Sequence, residues 1–182
     1  MQNAFKVVLL GAKGCGKTTL VSYLRNKVYT GRYITNFGID IHPVTIQTQY
    51  GTRILNLWDM ADSNTSATNF DIYCRNTDAC IAMCDNKPAS VTRMQEIALL
   101  FKNTTCNTLI ILVQNKSELT PHVFITGVIN ISIKTQENLF GMLTCLMSLL
   151  IHKHDVVIMG TMNKKSDKIV STPIQNNSSL NP

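Results

Sequence analysis

Phe5-Lys6-Val7-Val8-Leu9-Leu10 runs directly into Gly11-Ala12-Lys13-Gly14-Cys15-Gly16-Lys17-Thr18, and then into a segment where Leu20, Val21 and Leu24 are helically spaced. An apolar run of strand length without alternation is how a strand buried on both faces of a parallel sheet looks. The turn after it has the spacing G-x-x-x-x-G-K-T, placed between a strand and a helix as that motif requires. Its glycines let consecutive backbone N–H groups turn inward around a phosphate, and the helix N-terminus adds a favourable dipole. In this chemistry Gly11, Ala12, Lys13, Gly14, Cys15, Gly16 and Thr19 belong to the cradle. Lys17 neutralises the β- and γ-phosphates and the Thr18 hydroxyl ligates Mg²⁺.

The rest of the chain repeats the alternation. Ala79 to Cys84 and Thr108 to Val113 are further apolar runs of strand length. Val91, Met94, Ile97 and Phe101 are spaced as one helix face, and Leu139, Leu143, Leu146 and Leu150 as another. Ile39 to Thr48 and Arg53 to Trp58, joined across Gln49-Tyr50-Gly51, predict a hairpin. The expected fold is therefore α/β: a mostly parallel sheet with one antiparallel edge hairpin strand and helices on both faces. Asp59 ends the hairpin's second strand at the sheet's ligand edge, which makes it the natural second metal ligand beside Thr18.

Composition agrees with one globular domain. The chain has 182 residues, 45% of them apolar, enough to exclude disorder throughout. No apolar run approaches about 18 residues, the length that crosses a bilayer as a helix. Lys plus Arg exceed Asp plus Glu by 17 to 11, a net charge of +6, but no basic stripe runs along any helix, so nucleic acid is not an expected partner. Residue 2 is Gln and the last residues are Ser-Leu-Asn-Pro, so neither N-myristoylation nor prenylation is expected, and the first ten residues lack a signal-peptide cleavage site. The six cysteines show no C-x-x-C spacing and read as reduced, mostly buried thiols. Cys15, beside a helix N-terminus, reads either as a thiol of lowered pKa or as an inert buried one. Residues 1–154 are taken as the folded domain. From Asp155 the composition turns to Lys, Ser, Asn and Thr, and residues 155–182 are taken as a flexible polar tail.

Two later motifs carry a family resemblance. Asn115-Lys116-Ser117-Glu118 resembles the guanine-reading Asn-Lys-x-Asp, and Ser132-Ile133-Lys134 resembles the Ser-Ala-Lys loop that supports the base. In order behind the phosphate loop, each after an apolar strand, they make the chain similar to the Ras-superfamily small GTPases, with a P-loop NTPase fold. Ile41-His42-Pro43, Gln47-Thr48-Gln49-Tyr50-Gly51 and Asn56-Leu57-Trp58-Asp59 resemble the Ran branch in particular. The resemblance implies GTP/GDP and Mg²⁺ as cofactors, with Asn115, Lys116 and Glu118 reading the base and Ser132, Ile133 and Lys134 supporting it. Tyr33 takes the aromatic gate position over the phosphates or is a plain surface tyrosine. The resemblance also implies importin- or exportin-type receptors and a nucleotide exchange factor as partners, a monomer without lipid anchor, nucleocytoplasmic transport, and residence in nucleus and cytoplasm.

The departures fall where the γ-phosphate is sensed and cleaved. Asn36 stands where the family's first switch has threonine, and would offer Mg²⁺ an amide oxygen instead. The second switch reads Asp59-Met60-Ala61-Asp62-Ser63, with Asp62 in place of glycine and Ser63 in place of the glutamine that orients the attacking water. Ser63 is thus the degenerate catalytic position beside Lys17, and turnover is expected to be very slow. Lys13 replaces a glycine and would contact phosphate, compensating for Asp62. Glu118 is one methylene longer than the family's aspartate. Finally, only residues 117–131 separate Lys116 from Ser132, with Pro121 and Gly127 among them. A crossover with its helix needs about 10–12 residues at least, so the helix before the last strand is expected to be stunted to one turn around His122 to Ile125 or lost.

Overall fold

The computed structural model describes residues 3–27, 29, 38–66, 70–105, 108–119 and 126–152. Six strands form one sheet: β1 (Ala4–Gly11), β2 (Ile39–Thr48), β3 (Gly51–Met60), β4 (Ala79–Cys84), β5 (Leu109–Gln114) and β6 (Ile129–Asn130). Four helices accompany them: α1 (Lys17–Asn26), α2 (Phe70–Cys74), α3 (Pro88–Thr104) and α4 (Leu139–Ile151). A 3-10 turn spans Asp62–Ser66.

The strand order is β2-β3-β1-β4-β5-β6. Only β2 runs antiparallel, paired with β3 from Ile39↔Met60 to Thr48↔Gly51. The other neighbours are parallel. This is the expected architecture. It follows from the period of two along each strand, which sends alternate residues to opposite faces. On β1, Phe5, Val7 and Leu9 join Leu20, Leu24, Leu143 and Leu146 beneath α1 and α4. Val8 and Leu10 join Phe70, Met94, Ile97 and Phe101 beneath α2 and α3. Both faces being covered, all six residues of β4 are buried, which is why its sequence shows no alternation.

The hairpin turn is tighter than its sequence suggests. Gln49 and Tyr50 alone connect the strands, and β3 already begins at Gly51, whose φ of 95° suits a residue without Cβ. Thr48 closes the turn, its hydroxyl donating to the Gly51 carbonyl at 2.8 Å and accepting the Tyr50 N–H at 3.2 Å. The crossover from β5 to β6 shows turns at its described ends, and β6 is only two residues long. The single turn expected around His122 to Ile125 lies outside the described residues, as does the tail. Helix α2 has no counterpart in the sequence reading. Its five residues are too few for a helical period to emerge.

The order β2-β3-β1-β4 places the reversal of strand order beside β1. The crevice outside the carboxyl ends of the strands at such a switch point is where open α/β sheets hold ligands. The residues following β1, β3, β4, β5 and β6 all gather there.

Candidate functional site

The phosphate loop leaves β1 through Gly11, at φ 143°, and enters α1 through Gly16, at φ 109°. A Cβ on Gly11 would collide with the Met83 carbonyl of β4, and one on Gly16 with the Asn115 side-chain amide. The glycines are therefore dictated by tertiary contact as well as by turn shape. Helix α1 begins without a side-chain cap and without an acidic residue in its first turn. Such a helix start, with its dipole uncompensated by an acid, is the arrangement that suits a phosphate. Lys17 is buried, and its ammonium donates to the carbonyls of Gly11 at 2.7 Å and Ala12 at 3.1 Å. The cation is held over the mouth of the loop by the loop itself. Lys13 is exposed.

Thr18 and Asp59 meet across the crevice. The Thr18 hydroxyl donates to Asp59 Oδ2 at 2.6 Å, and Asp59 is almost fully buried at the end of β3. Two hard oxygen donors side by side next to a phosphate cradle are what Mg²⁺ takes, the remaining positions going to phosphate and water. The sequence paired these two residues, and the fold brings them together. Asn36 and Tyr33 lie outside the described residues.

On the opposite side, three loops are laced together. Asn115 is buried; its amide donates to the Cys15 carbonyl at 2.9 Å and its side-chain oxygen accepts the Ile133 N–H at 3.2 Å. Lys116 donates to the Gly14 carbonyl at 3.0 Å and pairs with Asp85 at 2.8 Å. Asp85 also accepts the Lys87 N–H. Burial pushes the Asp85 carboxyl up, but the Lys116 and Lys87 hydrogen bonds outweigh it, and the net pKa lies below the ordinary 3.8. Ser132 and Ile133 are both buried, and Ser132 accepts the Thr135 N–H at 3.0 Å, which shapes the loop. Lys134 is exposed. Glu118 carries a buried carboxylate oxygen, Oε2, with no hydrogen-bond partner among the described residues.

Cys15 turns out to be an inert thiol. It is fully buried, and burial raises its pKa despite the lowering effect of Lys17 and the Lys17 N–H. Cys84 is likewise pushed up to about 12 by burial.

The second switch holds the largest surprise. Asp62 is not paired with Lys13. Its carboxylate accepts Arg93 Nε of α3 at 3.0 Å. Arg93 also donates through Nη2 to Thr65 Oγ1 at 2.7 Å, and through Nη1 to Glu96 at 3.2 Å. Thr65 in turn donates to the Asp62 carbonyl at 2.6 Å. Burial alone would lower the Arg93 pKa, and its bonds to Asp62 and Glu96 reverse that, raising it above the ordinary value. The acid of the second switch is therefore paired by a cation from α3. Arg93 went unseen in the sequence because it lies 31 residues from Asp62 with no motif linking them. Ser63 is exposed.

A second fastening holds the end of this region. Lys6 of β1 donates to the carbonyls of Tyr73 at 2.7 Å and Arg75 at 2.8 Å, closing the C-terminus of α2. Its ammonium lies 3.9 Å from the centre of the Trp58 ring, close enough for a cation–π contact.

A glycine-rich loop opening a helix at the switch point, with its lysine, its threonine and a strand-end aspartate in place, defines a P-loop nucleotide-binding domain. The family described as Roc, the Ras of Complex domain of DAPkinase, matches residues 6–118, more than half of the chain. The chain belongs to this family of Ras-like GTPase domains, whose members bind GTP and GDP, usually with Mg²⁺. The matched region ends on Glu118, the last residue of the Asn115–Glu118 motif.

Proposed function

We propose that this chain is a guanine-nucleotide-binding switch protein of Ran-like character whose hydrolysis of GTP is weak or lost. The observation that carries the choice of base is the buried Glu118 Oε2 without a partner among the described residues, next to an Asn115 that ties the phosphate loop to the 131–137 turn. A buried acceptor left unsatisfied costs about 1–3 kcal/mol, and the N–H donors of a guanine edge would satisfy it. Adenine offers no such donor pair. Lys17 would hold the β- and γ-phosphates, and Thr18 and Asp59 the Mg²⁺, which supplies charge neutralisation at the phosphates when bound.

The weak turnover rests on Ser63 together with Asp62, which crowds its surroundings. Phosphoryl transfer depends on positioning the attacking water, and a serine side chain is too short to reach where the family's glutamine does. Asn36 adds to this as the first-switch departure. The Ran-like part rests on Ile41-His42-Pro43, Gln47 to Gly51 and Asn56 to Asp59. It carries with it importin- or exportin-type receptors, an exchange factor, nucleocytoplasmic transport, and nuclear and cytoplasmic residence.

The test is to release and identify nucleotide from the purified protein. Affinities for GDP, a GTP analogue and ATP are then compared with and without Mg²⁺. Guanine nucleotides should bind in preference to ATP, more tightly with Mg²⁺, and single-turnover hydrolysis should fall well below the family's usual rate. Hydrolysis at an ordinary rate sinks the weak-turnover reading, and preference for ATP sinks the guanine reading. Asp62 and Ser63 favour a second reading, a pseudo-GTPase interaction scaffold without turnover. A protein with no bound nucleotide and no measurable affinity would be that scaffold.

A further inference from the structure

With a triphosphate bound as proposed above, Asp62 would bring a carboxylate toward the end of the crevice that takes the terminal phosphate. It follows Asp59 by three residues, and Asp59 is hydrogen-bonded to Thr18 of the phosphate loop. Three residues of chain span about 11 Å at most, so Asp62 stays near the loop however the turn is folded. An uncompensated negative charge there would oppose a triphosphate more than a diphosphate, because the triphosphate brings more negative charge to that end.

The structure assigns Arg93 as the residue that keeps this charge from acting: by holding Asp62 against α3 it permits a triphosphate in a site whose second switch carries an acid. This rests on the nucleotide reading proposed above. The three guanidinium nitrogens have three separate acceptors, Asp62, Thr65 and Glu96, so the group is fixed in orientation and not merely nearby. Thr65 closes the ring by donating to the Asp62 carbonyl, which shapes the turn that presents the carboxylate to Arg93. The planar fork makes these contacts from three separate nitrogens in fixed directions; a lysine carries its donors on a single nitrogen and would not reach all three acceptors. Arg93 is thus a positioning residue for phosphate selectivity, acting through Asp62 without touching the ligand.

The readout is the ratio of affinities for GDP and a non-hydrolysable GTP analogue, measured with Mg²⁺ by fluorescent-nucleotide titration. Arg93→Ala should weaken the triphosphate about tenfold more than the diphosphate, as expected for one extra phosphate charge facing an unpaired carboxylate at roughly 10 Å. The double variant Asp62→Asn with Arg93→Ala should return the ratio to that of the wild type. Equal weakening of both nucleotides by Arg93→Ala, or a ratio that the double variant does not restore, overturns the assignment and leaves nucleotide binding standing. A wild-type protein that binds neither nucleotide overturns both. A loss of fold would lower both affinities together and cannot produce the restored ratio.

Discussion

The two ends of the nucleotide crevice have diverged unequally. At the base end, Asn115, Lys116 and the Ile133 N–H bind the phosphate loop to its neighbours, across a hundred residues of sequence or more in two cases. At the γ-phosphate end, Asp62 and Thr65 bond to Arg93 of α3. The first end spends its polar groups on holding loops in place around an opening that still contains an unsatisfied acceptor, Glu118 Oε2. The second spends them on fastening the switch to the body of the protein. Holding a nucleotide and cleaving it are separable demands on one fold, because the loops for each come from different strands.

Lys17→Ala is the severest way to break this comparison. It removes the cation at the point both ends share, and nucleotide affinity should fall about a hundredfold, from the roughly 3 kcal/mol that a charged hydrogen-bonding group contributes. A fluorescent-nucleotide titration measures it, and an unchanged affinity would show that phosphate binds elsewhere. Gly16→Ala strikes the phosphate loop where Asn115 laces it to the base end. At φ 109°, with the Asn115 amide where the methyl would go, it should cost about 2 kcal/mol of stability, read from urea unfolding. A midpoint equal to the wild type's would mean that the lacing around Asn115 gives way easily.

Ser63→Gln sharpens the comparison from the other side. With Asp62 still fastened to Arg93, the new side chain should raise single-turnover hydrolysis by no more than roughly threefold, whereas adding Asp62→Gly should raise it about tenfold further. If Ser63→Gln alone restores full turnover, the second switch is not constrained by α3. The smallest effect is on acid stability. Asp85 has a folded pKa below 3.8, so its contribution is present above that value and is lost as pH falls through the folded value. Thermal midpoints measured from pH 5 to pH 3 should drop for the wild type. Asp85→Asn should start lower, having lost the Lys116 pair, and decline less steeply.

Much of this was legible beforehand for a simple reason. The strands β1 and β4 announce themselves as unbroken apolar runs, and α3 and α4 as stripes of Met, Ile, Phe and Leu at helical spacing. The Thr18–Asp59 pair could be read from two motifs at known positions in one topology. The sequence assigned Ser132 a supporting place in the loop beneath the base, and the fold adds its partner, the Thr135 N–H. Cys15 was ambiguous because the dipole of a helix start and the depth of burial pull its pKa in opposite directions, and burial prevails.

The amino-acid sequence by itself determined the class of sheet, the phosphate loop and the residues facing it. These depend on local spacing: a period of two, a period near 3.6, and glycines at intervals set by the turn. Tertiary structure alone decided that Asp62 answers to Arg93, and that Asn115 binds the Cys15 carbonyl. Those pairings join residues far apart in the chain. Which charge meets which depends on how α3 and the 3-10 turn pack against the sheet, and no local pattern encodes that distance.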